Sequence, residues 1–230
     1  MLAIIDKRSS KEAKENLSKY VDDILFFESK GITYNSISGH PDIFIFQENN
    51  KLIIAPNAPE QLFNFLEKYK INFQIGNSKV DETFKNSVKY NCVSSNNFLF
   101  HKKGLTEDLI LKNNTDKTFI NLPQAYTRCS MLHLKDDIFI SSDIGIKKVL
   151  DQNNLQNFYF SPEDIKIIEH KNGFFGGTCG VFDNKIFFNG NINKHKDGVA
   201  LRNFLEDLNF EIICLHDDYL YDGGGIFFIN

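Results

Sequence analysis

The chain has 230 residues, of which 42% are hydrophobic and 24% are charged, so it can bury a sizeable core and has the composition of a globular protein. Its formal net charge of −4 disfavours nucleic acid and anionic membrane as partners, because both favour a basic surface. No apolar run reaches the roughly 18 residues that cross a bilayer, and the first residues lack the pattern of a signal peptide. We therefore expect a cytoplasmic protein.

The four cysteines lie far apart in the sequence, at Cys92, Cys129, Cys179 and Cys214. The sequence contains no CxxC pair and no Cys/His pair at ligand spacing, which disfavours a zinc finger or a disulfide framework. We assign no metal-ligating residue and expect no cofactor.

In chain order, the sequence begins with the strand-like "LAIID", which closes at Asp6, and the helical "KRSSKEAKENLSKYV". A longer pattern then recurs four times, starting at Asp42, Cys92, Cys129 and Cys179: two short strands joined by a polar turn, a polar residue, and an amphipathic stretch. The polar residues that close the second strands recur roughly every 46 residues, at Asp6, Asn57, Lys103, Asp143 and Asn191. Such a period indicates a repeated structural unit.

Each unit also has a candidate third strand after its helix: "ILFFES" from Ile24, "INFQIG" from Ile71, "TFINL" from Thr118, "IKIIEH" from Ile165 and "EIICLH" from Glu211. The helices are predicted from apolar spacing, as in Leu62, Leu66 and Tyr69. Asp143 is predicted to cap the helix that follows it. The repeated unit is therefore ββαβ.

The first unit lacks its first strand, and the chain ends on the apolar "GGIFFIN". We predict that this segment pairs with "LAIID", closing a ring of five units and leaving no open sheet edge. The alternative is a frayed tail. We predict one domain over 1–230, with units near 1–37 plus 223–230, 38–80, 81–122, 123–170 and 171–222.

A ring of five ββαβ units resembles the pentein fold, the five-bladed α/β propeller of the guanidine-modifying enzymes: arginine deiminases, amidinotransferases and dimethylarginine hydrolases. The local motifs are similar to those of a branch of that superfamily found in Firmicutes bacteria. The matching stretches are "SGHPDIFIF" at 38–46, "LIIAPNAP" at 52–59, "INLPQAYTRCS" at 120–130, "ISSDIGI" at 140–146 and "GFFGGTCG" at 173–180.

The resemblance implies a particular chemistry. A guanidinium ligand is planar and positively charged, so carboxylates hold it, a thiolate attacks its carbon and a histidine moves protons. The resemblance places the nucleophilic cysteine in the last strand, just after a glycine-rich turn. Here that stretch is "DGGGIFFIN", which contains no Cys, Ser or Thr. This absence disfavours ordinary deiminase or amidinotransferase chemistry.

The motif "SGHPDIF" contains the first candidate site residues. His40 and Asp42 are two residues apart, which places them on one face if the segment is extended. A histidine beside an aspartate can be oriented for proton transfer. Several penteins place a substrate-binding carboxylate at such a strand start, so the resemblance supports a functional role; a structural hydrogen bond at a capped strand start is the alternative.

The cysteines and two further motifs supply the other candidates. Cys92, Cys129 and Cys179 stand at equivalent places in successive units, which is typical either of small buried residues or of a catalytic or metal-binding thiol site. In "INLPQAYTRCS", Arg128 can bind a carboxylate or phosphate, or it is a solvated loop cation. The loops "GFFGGTCG" and "LHDDYLYD" add Thr178 and Asp222 near the predicted axis.

Three hypotheses remain open. The first is a protein that binds a small polar ligand, guanidino or amino-acid-like, in an axial cleft; its predicted binding residues are His40, Asp42, Gln124, Arg128, Cys129, Thr178 and Asp222. The second is a hydrolase or transferase acting on C–N bonds with a displaced nucleophile; its candidate catalytic residues are His40, Asp42, Cys129 and Cys179. The third is a non-catalytic protein-interaction module. The sequence does not decide whether the protein is an enzyme, nor its oligomeric state.

Overall fold

The computed structural model describes residues 1–49 and 51–230, and these residues form five three-stranded sheets with helices between the strands. The strands are β1 (Leu2–Asp6), β2 (Asp23–Phe27), β3 (Ile45–Glu48), β4 (Lys51–Ile54), β5 (Gln74–Ile75), β6 (Val93–Ser94), β7 (Phe98–His101), β8 (Thr118–Asn121), β9 (Met131–His133), β10 (Ile138–Ser141), β11 (Gln156–Tyr159), β12 (Cys179–Phe182), β13 (Lys185–Phe188), β14 (Glu211–Cys214) and β15 (Phe227–Ile229). The helices are α1 (Lys11–Leu17), α2 (Glu60–Lys68), α3 (Phe84–Ser87), α4 (Asp108–Asn113), α5 (Thr127–Ser130), α6 (Ile144–Gln152) and α7 (Gly198–Asp207).

All five sheets share one topology. In each sheet the first strand pairs antiparallel with the central strand, and the central strand pairs parallel with a third strand that follows a helix. Four sheets have the orders β3-β4-β5, β6-β7-β8, β9-β10-β11 and β12-β13-β14, and the fifth has the order β15-β1-β2. The predicted ββαβ unit and the five-bladed α/β propeller are confirmed.

The two ends of the described chain meet in one sheet. Strand β15 is antiparallel to β1, with Ala3 opposite Phe228 and Ile4 opposite Phe227, as predicted. Phe228 also packs on Phe187 of the preceding blade, with 4.7 Å between ring centroids. Its carbonyl accepts a 2.7 Å hydrogen bond from the Gln47 amide of the following blade. The terminal pair therefore connects the first and last blades of the ring.

Two details of the prediction are wrong. Pairing of the ends does not remove open sheet edges, because the five sheets are separate and each stops at three strands. The third strand of the fourth unit is β11, which pairs with β10, and not "IKIIEH". Strand β11 begins soon after α6 ends at Gln152, so the chain reaches the sheet edge before Ile165, which is buried in the core instead.

The helices bury the apolar faces that the spacing predicted. Leu62 and Leu66 of α2 are fully buried in one core cluster with the strands of their own sheet. Leu201 and Leu205 of α7 are fully buried in a second core cluster, again with the strands of their own sheet. Asp143 caps α6 as predicted, since its side chain accepts a 2.8 Å hydrogen bond from the amide of Ile146. With the helices outside, the first strands contact one another around the axis, as in the pairs β3–β6, β6–β9 and β12–β15.

Over residues 1–49 and 51–230, no helix combines the length and the apolar character of a bilayer span.

Replacing Phe228 by Ala tests the closure of the ring. Phe228 is 5% exposed and its ring packs on Phe182 and Phe187 of the preceding blade, so we expect the free energy of unfolding to fall by about 3–5 kcal/mol, the usual cost of removing a buried phenylalanine. Urea denaturation measures this loss. The matched control is Phe84→Ala, since Phe84 is 51% exposed. Equal losses in both variants would contradict the closed ring.

The buried imidazole of His101 predicts a loss of stability in acid. Its Nδ1 lies 2.9 Å from the Thr106 hydroxyl and its Nε2 lies 2.9 Å from the carbonyl of Ala125. Burial lowers the pKa of His101 from 6.5 to about 4. Because the folded pKa is below the unfolded one, this stability is fully present above pH 6.5 and is lost as the pH falls towards 4.

We therefore expect the wild-type free energy of unfolding to fall by up to about 3 kcal/mol more than that of His101→Gln between pH 7 and pH 4. Urea denaturation at a series of pH values measures the difference between the two proteins. Parallel stability curves would show that His101 is not held neutral in the fold.

Candidate functional site

A cleft and a closed group of buried polar side chains follow one another along the axis of the ring. The cleft has a volume of about 600 Å³. Its walls come from the first strands of all five sheets, since its lining includes Gln47, Ser94, Leu132, Val181 and Phe228. Its rim includes Asn49, Asn96, Asp136 and Asp183, which follow β3, β6, β9 and β12. Its inner end includes Cys92, Arg128 and Ile226, which precede β6, β9 and β15.

Arg128 forms the inner end of the cleft. One of its terminal nitrogens donates a 2.6 Å hydrogen bond to the Gly176 carbonyl, and the other donates a 3.2 Å hydrogen bond to the Cys179 carbonyl. Its guanidinium carbon lies 5.5 Å from the ring centroid of Phe227. These contacts hold a fixed positive charge on the axis while part of the side chain borders the cleft.

Beyond Arg128 lies the axial chamber, which we define by His40, Asp42, Asn91, Cys129 and Asp222. All five side chains are at most 3% exposed. The thiol of Cys129 donates a 2.8 Å hydrogen bond to Oδ2 of Asp42. The amide of Asn91 donates to the Asp42 carbonyl at 3.1 Å and accepts from the backbone amide of Cys129 at 3.2 Å. Residues from three units are thus brought into one contact network.

Burial controls the ionisation of the chamber. It raises the pKa of Asp42 to about 6, against the opposing effects of the Cys129 thiol and the Arg128 charge. Burial also raises the pKa of Asp222, and it lowers the pKa of His40 although the Asp222 carboxylate opposes this. The His40 imidazole is therefore neutral at pH 7, and its Nδ1, 3.9 Å from Oδ1 of Asp222, forms no ion pair there.

The thiols are poorly suited to nucleophilic attack. Burial, followed by the charges of Asp42 and Asp222, raises the pKa of the Cys129 thiol well above its usual value. Burial raises the pKa of the Cys179 thiol to about 12, and the Arg128 charge only partly opposes it. Because the thiolate is the attacking species, both residues are inert as free thiols at neutral pH.

The glycines of the last turn make room for these side chains. Gly224 has a φ of +73°, and a Cβ there would lie 2.5 Å from Cβ of His40. Gly225 has a φ of +82°, and a Cβ there would lie 2.9 Å from a terminal nitrogen of Arg128. Any side chain at either position would be strained and would displace His40 or Arg128.

Sequence reasoning located part of this arrangement. His40, Asp42, Cys129 and Asp222 meet in the chamber, and of the predicted ligand-binding residues, all of which the structure describes, only Arg128 lines the cleft. Three candidates lie elsewhere: Gln124 accepts hydrogen bonds from Ala125 and Tyr126, Thr178 donates to the Phe175 carbonyl, and Cys179 is buried in a hydrophobic core cluster.

The predicted extended segment at His40 and Asp42 is wrong. Pro41–Ile43 forms a 3-10 turn with Pro41 at its first position, and β3 begins only at Ile45. The turn nevertheless keeps both side chains buried on the axis.

Sequence reasoning missed Asn91 and the polar layer that covers the other side of the chamber. In that layer the buried carboxylate of Asp6 pairs with Arg8 at 2.8 Å and accepts a 3.1 Å hydrogen bond from the Tyr221 hydroxyl. The sequence carried one signal for it, because Asp6 is the polar residue that closes the first central strand. Asn91 directly precedes Cys92, one of the repeated positions, but an asparagine before a strand does not by itself indicate a functional residue.

Five ββαβ blades around an axial polar site define a pentein-type α/β propeller, and solved structures share this fold. A mutant dimethylarginine dimethylaminohydrolase from Pseudomonas aeruginosa, complexed with citrulline, is 9% identical with a TM-score of 0.52, over 97% of this chain and 92% of that one. C. jejuni agmatine deiminase is 12% identical with a TM-score of 0.53, over 93% of this chain and 74% of that one. SxtG, an amidinotransferase from Microseira wollei, is 9% identical with a TM-score of 0.52, over 97% of this chain and 89% of that one. Identities this low show the fold alone.

The chain belongs to the DUF6873 family, described as a family of unknown function, whose sequence profile matches residues 4–227. No curated protein matches the chain in sequence.

Thiol labelling tests the closed state of the chamber. Cys92, Cys129 and Cys179 are buried, so in the native protein at neutral pH we expect them to react with a disulfide reagent at least about a hundredfold more slowly than after unfolding. The half-buried Cys214 is the exception, and Cys214→Ser should remove any fast labelling. Fast labelling of Cys129, with an apparent pKa below the ordinary value of a thiol, would support the hypothesis that a displaced cysteine is the nucleophile of an enzyme.

Proposed function

We propose that the protein binds a small polar ligand of the guanidino amino-acid class in the axial cleft, without ordinary deiminase or amidinotransferase chemistry. The observation that carries the proposal is the cleft of about 600 Å³ whose lining includes Arg128, a residue that carries a fixed positive charge. This volume falls within the range of small-molecule sites, roughly 300–1,000 Å³, and it is larger than the volume of a free amino acid.

The charges along the cleft favour one orientation of the ligand. Arg128 supplies a positive charge at the inner end, and Asp136 and Asp183 supply two negative charges at the rim. Lys135 also lines the cleft, and its ammonium donates a 2.7 Å hydrogen bond to the carbonyl of Leu208. Glu48 also borders the cleft, but Lys117 pairs with it at 2.5 Å. A ligand with a carboxylate directed inward and a cationic group directed outward matches this layout, because each end meets an opposite charge.

Two arguments support binding without ordinary catalysis. The last strand, β15, contains only Phe227, Phe228 and Ile229, so it offers no nucleophile where the resemblance places one. The Cys129 thiol lies in the chamber and is protonated at neutral pH, which argues against the hypothesis of a displaced nucleophile. The names of the solved neighbours, agmatine deiminase among them, support the ligand class by analogy of fold only.

No observation favours the third hypothesis, an interaction module, in the described part of the chain. Tyr34 and Phe84 are exposed and both contact Tyr126, which gives a small group of three aromatic rings. Other large exposed apolar side chains belong to three different units, such as Ile75 of β5, Ile144 of α6 and Val199 of α7. A docking face would need such side chains to be contiguous.

Calorimetric titration with L-arginine, citrulline and agmatine tests the proposal. We expect L-arginine to bind, and agmatine to bind at least about tenfold more weakly because it lacks the carboxylate that meets Arg128. Arg128→Gln should weaken L-arginine binding by about 10- to 100-fold, since it removes one charge-assisted hydrogen-bonding group.

Arg202→Gln is the matched control for this experiment, because Arg202 lies on α7 and pairs with Glu206 outside the cleft. If Arg128→Gln does not fold, Val181→Phe narrows the cleft without altering Arg128 and should also weaken binding. L-arginine should be recovered unchanged, without citrulline or ammonia. Equal binding of agmatine and L-arginine, or no binding of any of the three, would contradict the proposal.

A further inference from the structure

Three side chains of the axial chamber are of the types that bind a thiophilic metal ion. One potential ligand atom each from His40, Asp42 and Cys129 lies within 4.8 Å of the other two. The three residues are 1%, 0% and 3% exposed. Nitrogen, carboxylate oxygen and thiolate sulfur together form the ligand set that proteins use for zinc.

The hydrogen bonding of the chamber is incomplete, which is an independent sign of a missing ligand. Among the described residues, neither ring nitrogen of His40 has a hydrogen-bond partner, and neither does Oδ1 of Asp42. Buried polar atoms in folded proteins are nearly always paired, and an unpaired imidazole together with an unpaired carboxylate oxygen is costly. These atoms belong to two of the three residues whose ligand atoms converge.

We propose that His40, Asp42 and Cys129 bind one zinc ion. In a tetrahedral zinc site with bonds of about 2.0–2.3 Å, ligand atoms are roughly 3.4 Å apart. The ligand atoms lie within 4.8 Å of one another, so metal binding requires them to approach by about 1 Å. Three protein ligands leave a fourth position for water. Cysteine spacing gave no sign of this site, because residues of two different units supply the ligands. The sequence assigned no metal ligand, although it left a metal-binding role open for the repeated cysteines.

The charges balance in this arrangement. On binding, the S–H bond of Cys129 breaks, its sulfur bonds to the zinc ion and the proton leaves to solvent. One thiolate and one carboxylate then neutralise the divalent ion, and the imidazole binds as a neutral ligand. The hydrogen bond from the thiol to Oδ2 of Asp42 is lost. The sulfur becomes a ligand, and the Asp42 carboxylate binds the ion through Oδ1, the oxygen that otherwise has no partner.

The surroundings can hold these ligands in place. Asp222, with Oδ1 3.9 Å from His40 Nδ1, is the acceptor that can orient the imidazole, and the backbone amides of Phe174 and Gly224 fix the Asp222 carboxylate. The Asn91 amide holds the backbone of Cys129 and lies 3.5 Å from its sulfur. Zinc sites commonly have such outer partners, which orient the ligands.

The test is titration of chelator-treated protein with Zn²⁺ and with Co²⁺ as its spectroscopic substitute. We expect one metal equivalent per chain, and for Co²⁺ the near-ultraviolet charge-transfer absorption of a cobalt–thiolate bond. Cys129→Ser and Asp42→Asn should each weaken binding by about a hundredfold or more, and Cys129→Ser should abolish the charge-transfer band. Cys179→Ser is the matched control, since Cys179 is equally buried but lies outside the cluster.

The wild-type cobalt spectrum decides the proposal even if a buried variant fails to fold. No metal binding, or binding without the thiolate band, overturns it. Equal loss of binding in Cys129→Ser and Cys179→Ser also overturns it, because the effect would then be structural. L-arginine binding is measured separately, so failure of the zinc site and failure of the cleft proposal are distinguishable.

Discussion

The antiparallel pairing of β15 with β1 is the interaction on which the whole arrangement depends. It places the last residues of the described chain in the first blade and makes five separate sheets into a ring. The glycine-rich turn before β15 then lies on the axis, where Gly224 packs against His40 and Gly225 against Arg128. A chain that did not close would leave both side chains without the backbone that confines them.

Arg128 divides the axis into two environments with different chemistry. On one side the cleft is open, polar and lined by all five blades. On the other side the chamber is closed, and burial suppresses ionisation, with a raised pKa for Asp42 and a lowered pKa for His40. A guanidinium contributed by the protein therefore stands at the inner end of the cleft. In the proposed binding mode, this position favours the carboxylate end of the ligand and keeps the ligand guanidinium away from the chamber.

The repeat predicted the fold well because it rests on strand and helix periodicities that the chain obeys in every unit. It predicted less of the site, because the start of each first strand is irregular. Asp42 precedes β3 by three residues within a 3-10 turn, Cys129 lies in the short helix α5, and Cys179 is itself the first residue of β12. Because Cys129 lies in a helical turn two residues before β9, the alternation of strand faces does not set its direction, and its side chain joins the chamber. Cys179, as the first residue of β12, enters a hydrophobic core cluster instead.

The most direct test of a divided polar axis is a crystal structure of the protein grown with zinc and L-arginine, with anomalous diffraction measured at the zinc edge. The account predicts an anomalous peak between His40, Asp42 and Cys129, and separate density for the amino acid in the cleft with its carboxylate at Arg128. A collapsed axis, with His40 hydrogen-bonded to protein groups, no anomalous peak and Arg128 filling the cleft, would contradict it.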